Sequence, residues 1–343
     1  MSRVVINALN ARAGGGLRFA RQVLPRLESH LGGHGHEVVL RTGDTIVRSG
    51  AVTRAILGQV DLARHVPRAD LILNVGNVAA LRGGAPQWLM IRNRLIVEPP
   101  PSLYPTSFRA ARMALLIPSM VRSERWIVPS EAMRVATERF ARHWRIPIRD
   151  LAVLPHGVSP PRPMRLRLKG EGKLRLLYPA VPQKHKNYGV ILEAVEILRR
   201  RSLDVRLTLT MDRHDLLANS SWAPRRGWPA WLYCVGPCVP SLMDTLYLSH
   251  DILVHPSICE SFGLVLLEAE AYGLGIVATD IDVARELALR NAVLVDPYDS
   301  VAWANAIQRQ ASAPGSTRGG IERRTWSMVA LELAASICHR LER

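Results

Sequence analysis

The chain has 343 residues, 48% of them hydrophobic and 22% charged, which excludes an intrinsically disordered protein and leaves room for two domains of about 100–200 residues each. Forty-five Lys and Arg against 29 Asp and Glu give a formal net charge of +16, so the surface must attract something anionic: phosphate-bearing substrates, an anionic membrane or nucleic acid. Nucleic acid ranks last, because Arg109, Arg112, Arg122, Arg125, Arg134, Arg139, Arg142 and Arg145 fall singly along amphipathic stretches without the interleaved aromatics of a base-stacking surface.

In chain order, residues 4–8 read as an apolar strand close to the first residue, without the basic region and long apolar core of a secretion signal. Three glycines follow, Gly14, Gly15 and Gly16, and then a helical stretch through Leu27. Successive glycines let an anion approach the backbone and meet several N–H donors. The pattern is not Gly-x-Gly-x-x-Gly, since position 19 is Phe, so a nicotinamide cofactor is disfavoured.

Further short strands are predicted at 37–40, 71–74, 88–91, 126–129 and 151–154, each followed by a turn and a helical period. The pattern restarts at 174–178, 205–209, 231–235, 252–255, 275–278 and 292–295. Strand-then-helix alternation implies parallel sheets covered on both faces, and two sheets accommodate it better than one. Between the halves, residues 159–173 are rich in Pro, Gly and basic residues and read as an exposed linker, and 311–320 is a second loose segment before a final helix from about 321 to 341. Apolar runs such as 113–118 and 264–267 fall well short of the roughly 20 residues a membrane helix needs. Cys234, Cys238, Cys259 and Cys338 show neither CxxC pairs nor zinc-ligand spacing, which points to reduced thiols and a cytoplasmic protein.

In such folds, ligands sit at the carboxyl ends of the strands, where helix N-termini present free N–H groups. Two strand ends in the second half carry chemistry. After 174–178 comes Pro-Gln-Lys-His-Lys-Asn-Tyr, which places Lys184, Lys186 and Asn187 beside a helix start, where compact cations can meet a diphosphate. After 252–255 comes Pro-Ser-Ile-Cys-Glu-Ser-Phe-Gly-Leu, with Glu260, Ser261, Phe262, Gly263 and Leu264 at the strand-to-helix turn and Glu268 one helical turn further on. At about 100° per residue Glu268 and Glu270 cannot both face inward, and Glu268, among apolar neighbours, is the inward one.

The full context, Pro-Ser-x-x-Glu-Ser-Phe-Gly-Leu-x-x-Leu-Glu-Ala, resembles the retaining GT-B glycosyltransferases of family 4, whose hallmark is the same Glu-x7-Glu segment. The resemblance extends to Gly14–Gly16, to Ser130–Arg134, to His156-Gly157-Val158 where the family has Asn-Gly-Val, and to Lys186-Asn187. Met90–Asn93 and His185–Asn187 are similar to enzymes that build bacterial surface polysaccharides. The pattern departs at Val181, where many members carry a phosphate-binding Arg that Lys184 would have to replace, and at Asn74–Asn77, where many have a His.

What the resemblance implies is an α/β GT-B fold: two Rossmann-like domains with a cleft between them, and a C-terminal helix crossing back. Residues 1–160 would form the acceptor-side domain, 161–173 the linker, 174–317 the nucleotide-sugar domain and 318–343 the returning helix. The activity implied is retaining, metal-independent transfer of a hexose or deoxyhexose from a nucleotide-diphosphate sugar to a glycan or lipid-linked acceptor in cell-surface polysaccharide biosynthesis. Glu260 and Lys186 would be catalytic, and Gly15, Gly16, Lys184, Asn187, Gly236, Ser261, Phe262, Gly263, Leu264 and Glu268 would hold the donor. Asn77 and Ser130 are candidates for the sugar or acceptor, although Ser130 also reads as a helix N-cap. No cofactor and no metal are expected, and the basic arginines suggest peripheral attachment to the inner face of a membrane. The alternatives are another GT-B enzyme, such as a sugar epimerase or synthase, and a non-catalytic basic protein that binds nucleic acid or membrane on the same fold.

Overall fold

A computed structural model describes residues 1–9, 11, 14–42, 68–80, 84–100, 102–104, 106–159, 172–224, 227–312 and 323–343. Most of the proposed linker (160–171) and most of the second loose segment (313–320) lie outside the described residues, as does the side chain of Arg109. The chain divides into two compact units, Met1–Val158 with Arg323–Arg343, and Ser159–Glu322.

In the first unit, the described residues form a parallel six-stranded sheet in the order β2-β1-β3-β4-β5-β6. Its strands are β1 (Arg3–Ala8), β2 (Glu37–Thr42), β3 (Leu71–Asn74), β4 (Gln87–Met90), β5 (Arg125–Val128) and β6 (Leu151–Val153). The central strands are continuous apolar runs because helices cover both faces. The helices are α1 (Gly14–Gly33), α2 (Arg94–Val97), α3 (Thr106–Arg122), α4 (Glu131–His143) and, from the C-terminal end of the chain, α11 (Trp326–Leu341). The chain order of the sheet reverses between β1 and β3, the point at which open α/β sheets leave a crevice at the strand ends.

The second unit is a parallel sheet of six strands among its described residues, in the order β12-β11-β10-β7-β8-β9. Here the strands are β7 (Leu174–Tyr178), β8 (Val205–Leu209), β9 (Leu232–Cys234), β10 (Ile252–His255), β11 (Gly275–Thr279) and β12 (Ala292–Val295). The helices are α5 (Tyr188–Arg200), α6 (Arg213–Asn219), α7 (Pro240–Ser249), α8 (Leu264–Ala271), α9 (Asp282–Glu286) and α10 (Ser300–Ser312). Trp303 of α10 is fully buried among residues of α5, β7 and β8 on one face. Tyr247, Leu253, Leu266 and Ile276 pack the other. This sheet reverses between β7 and β10.

Two sequence expectations change in detail. The glycine triplet is not a loop before the helix but opens α1 itself. The C-terminal helix begins at Trp326, five residues later than expected, because Thr325 caps it by accepting from the Met328 N–H. Within the arginine-rich stretch, Arg134 pairs with Glu131 and Glu138, Arg139 with Glu98, Arg142 with Glu138 and Arg125 with Asp150. The tryptophans at 222, 228 and 231 form an edge-to-face cluster against the core.

The C-terminal helix α11 closes the first unit. Trp326 is buried beside Phe19 of α1 and His156, with ring centroids 6.3 and 5.8 Å away. Arg340 donates to Glu124, which also accepts from the Trp88 indole at 3.0 Å. Gly157 makes this docking possible, since a Cβ there would fall on the backbone of Thr325 and Trp326.

Gly157→Ala should therefore lower stability to urea by at least about 2 kcal/mol, the range of backbone clashes and overpacking. Gly32→Ala, where a Cβ meets nothing within 4 Å, should be neutral or slightly stabilising. Acid adds a second expectation. Burial holds His156 at about 3 and His185 at about 4 when folded, against 6.5 for the free side chain. The unfolded chain thus takes up protons that the folded one refuses, and stability falls as pH drops below 6.5. Between pH 7 and 5 each histidine should contribute a loss of about 2 kcal/mol. His156→Phe should remove its share of that slope, which urea unfolding at the two pH values would measure.

Candidate active site

The strongest concentration of chemistry lies where the second sheet reverses. After β7 the chain makes a single turn of 3-10 helix over Lys184–Lys186 and enters α5 through Asn187. Asn187 takes a left-handed conformation (φ 52°) that asparagine tolerates better than most residues, and its amide donates to Pro297 O at 2.6 Å. Tyr178, at the end of β7, donates its hydroxyl to Lys186 O at 2.7 Å. Burial, with Tyr188 and Glu260 nearby, pushes Tyr178 well above the usual phenol value, so it stays a donor. Tyr188 donates to Val181 O at 2.9 Å, and the Ile258 N–H donates to His185 O at 3.0 Å, tying this turn to the loop after β10. The lysine turn is therefore fixed at four points.

That anchoring aims Lys186 at Glu260. The Nζ–Oε1 distance is 2.5 Å, with the two side chains only 11% and 16% exposed. His255, the last residue of β10, places Nε2 3.2 Å from the same oxygen, and its ring stands edge-on to Tyr178. Burial by itself would raise the Glu260 carboxyl, but the Lys186 ammonium and His255 more than offset it and hold it well below the usual range. Glu260 is thus ionised, and Lys186 is its counter-charge. Breaking such a buried pair by removing one member costs about 3–5 kcal/mol, whereas handing the lysine to another anion leaves Glu260 free to accept hydroxyls.

Glu268 lies on α8, 4% exposed, and accepts from the Tyr247 hydroxyl at 2.8 Å. Tyr247 stacks on Tyr272, whose hydroxyl donates to Asp244 at 2.6 Å. Glu270, two residues on, is partly exposed and accepts from the Arg290 N–H at 3.0 Å, so the helical spacing separates the two glutamates as the sequence indicated. Gly263 caps α8 with φ 77°, and a Cβ there would crowd Leu266 and Leu287 at 3.1 and 3.2 Å, so glycine is needed for both reasons. Phe262 is buried, and Ser261 and Leu264 flank the cap.

The remaining predicted residues are more dispersed. Lys184 is exposed on the 3-10 turn. Gly236, φ 75°, follows β9 and sits against Asp212. In the first unit, Gly15 and Gly16 lie in the first turn of α1. Asn77 accepts from the Arg92 N–H at 2.7 Å, and Ser130 caps α4 by accepting from Met133 N–H at 3.1 Å. Residues that sequence reasoning passed over are His255, Tyr178 and Tyr247, which hold the two acidic residues of this site or the turn facing them. His255 and Tyr178 end the two strands that meet at the reversal, a signal readable only once the strand order is known.

Residues 174–312 match the sequence family described as "Glycosyl transferases group 1". The D-inositol 3-phosphate glycosyltransferase of Pseudarthrobacter chlorophenolicus is 29% identical over 168 residues, covering 47% of this chain and 37% of the relative. The match thus spans about a third of that relative's length. Among solved structures, sucrose-phosphate synthase from Thermosynechococcus elongatus superposes with a TM-score of 0.74 at 18% identity, covering 99% of each chain. The Anabaena protein HepE, in complex with UDP and glucose, gives 0.68 at 16% identity over 98% of this chain and 99% of its own. A trehalose-6-phosphate synthase studied for glycosyl transfer with retention gives 0.64 at 14% identity, covering 100% and 97%. At these identities the structures establish the fold: two parallel-sheet α/β units of the kind found in GT-B glycosyltransferases.

Proposed function

We propose that the chain is a glycosyltransferase that takes a sugar from a nucleotide-diphosphate donor and transfers it with retention of anomeric configuration. The observation that carries this reading is the Lys186–Glu260–His255 cluster at the β7/β10 reversal, with Glu268 on the adjoining helix. The match of residues 174–312 to a glycosyltransferase family and the UDP complex of a structural neighbour support the donor class.

When the bond between sugar and diphosphate breaks, negative charge grows on the diphosphate and positive character on the sugar. Lys186, with Lys184 in the role of the absent arginine, stabilises the first, most strongly in the transition state. Drawing Lys186 onto the diphosphate leaves Glu260 to accept donor-sugar hydroxyls, with His255 still beside it. Glu268, held by Tyr247, takes the ribose hydroxyls, and the N–H groups at the start of α8 add to the positive field. The acceptor attacks from the leaving-group side and its proton passes to the departing phosphate oxygen, so neither glutamate acts as base. Lysine serves where other enzymes use a divalent cation, and transfer proceeds without metal.

The acceptor we infer carries a phosphate, whether as a sugar phosphate, as the names of the relatives suggest, or as a glycan on a lipid carrier in surface-polysaccharide assembly. No described helix is long and apolar enough to cross a membrane. The net charge of +16 supports peripheral contact with an anionic membrane surface, although Arg125, Arg134, Arg139 and Arg142 are paired with carboxylates.

Lys186→Ala and Glu260→Gln should each lower turnover by about 10²–10³, the order found when a transition-state electrostatic contact is lost. Glu268→Gln should mainly weaken nucleotide binding. A thermal-shift screen against UDP-, GDP- and dTDP-sugars selects the donor, and transfer assays with that donor, with and without chelator, measure the rest. Transfer by the folded Lys186→Ala and Glu260→Gln proteins within about twofold of wild type would overturn the assignment.

A further inference from the structure

His255 is a buried group of the donor site whose own hydrogen bonds are incomplete. It ends β10 with 3% of its surface exposed, and its Nε2 stands 3.2 Å from Glu260 Oε1. That contact is close enough for charges to act on each other but is not aligned as a hydrogen bond, and Nδ1 has no partner among the described residues either. A buried ring with both nitrogens unsatisfied is uncommon in a folded protein. Lys186 Nζ already donates to the same oxygen at 2.5 Å. Two cations against one oxygen repel each other, so while Lys186 is there it alone supplies the charge that balances Glu260.

That balance is lost in the reaction proposed above. Once Lys186 turns to a diphosphate, Glu260 is an ionised carboxylate in a buried setting with no cation against it, which a fold sustains only by adding a proton or another cation. The titratable groups around His255 and Glu260 narrow the choice. Tyr178, edge-on to the imidazole, is pushed well above the usual phenol value by burial and keeps its proton. His185, on the lysine turn, is held at about 4 by burial and by Lys186. Of the two groups left, an imidazole is about 100-fold more basic than a carboxylate.

We propose that His255 is a positioning residue that takes up a proton from solvent when the donor diphosphate draws Lys186 away, and so replaces the lysine as the counter-charge of Glu260. Nε2–H then closes onto Oε1, and the added proton sits on Nδ1, to which no donor is bonded. Glu260 stays ionised and fixed in place to accept donor-sugar hydroxyls, and donor binding is coupled to proton uptake. The inference rests on the donor-site reading and adds to it the group that keeps the carboxylate balanced after the lysine has left.

Isothermal titration of UDP into the full chain at pH 7.5, in two buffers of different ionisation enthalpy, counts the protons exchanged. Wild type should take up about half a proton or more per UDP, the size expected when a carboxylate loses its other cation beside an imidazole. A cationic site can only strip the last proton from the terminal phosphate of UDP, which is a release, so an uptake comes from the protein. The uptake should vanish in His255→Gln, which keeps an N–H donor but cannot take a proton, and in Glu260→Gln, where no carboxylate needs balancing. Because the bound state holds the extra proton, wild-type affinity for UDP should fall about threefold between pH 7 and 8.5, whereas that of His255→Gln should not fall. UDP binding to wild type without proton uptake, or uptake undiminished in either folded variant, would overturn the proposal and leave the donor site standing. Absence of UDP binding by wild type would overturn the donor-site reading and this proposal with it.

Discussion

Much of the second unit's architecture converges on one buried ion pair, Lys186 with Glu260. An ammonium and a carboxylate with little exposure survive only because each neutralises the other and because the backbone around them is over-determined. Tyr178 holds the carbonyl of Lys186, Asn187 ties the following turn to Pro297, and the Ile258 N–H joins the lysine turn to the loop that carries Glu260. Under the proposed function, an incoming diphosphate would not need to create a cationic site, only to compete with a carboxylate for one that is already aimed.

The first unit meets the same problem in the opposite way. At its own sheet reversal Arg92 is buried against the start of α1 with no carboxylate among the described residues opposing it. One unit therefore keeps its cation neutralised by an internal anion, and the other holds its cation against a carbonyl and a ring face. Both units place these groups where parallel sheets leave a crevice, so the topology and the electrostatics select the same positions.

Much of the fold could be read from the sequence because parallel α/β units announce themselves through short aliphatic runs alternating with amphipathic helices. The runs at 71–74, 174–178, 205–209, 252–255 and 292–295 coincide with β3, β7, β8, β10 and β12. Boundaries moved where capping decides them, as at Thr325, or where glycine enters a helix, as at Gly14. Within the site, Glu260, Glu268 and Lys186 were legible from their motif, and helical spacing singled out Glu268 over Glu270. The supporting residues were not. His255 reads as an apolar-strand terminus, and Tyr247 lies 21 residues from the carboxylate it holds. Arg92 sits in a motif visible in the sequence, but whether an arginine is paired or bare depends on which carboxylates the fold brings near it, a property of three dimensions.

Isothermal titration of UDP into the wild-type protein and into Glu260→Gln tests the central claim most directly, because it asks whether the carboxylate competes with the diphosphate for Lys186. Removing the negative charge frees the lysine, so UDP should bind about tenfold more tightly to the variant, a gain of about 1.4 kcal/mol, even as turnover falls. Equal or weaker binding by the folded variant would contradict the account, since Lys186 would then not be held in reserve by Glu260.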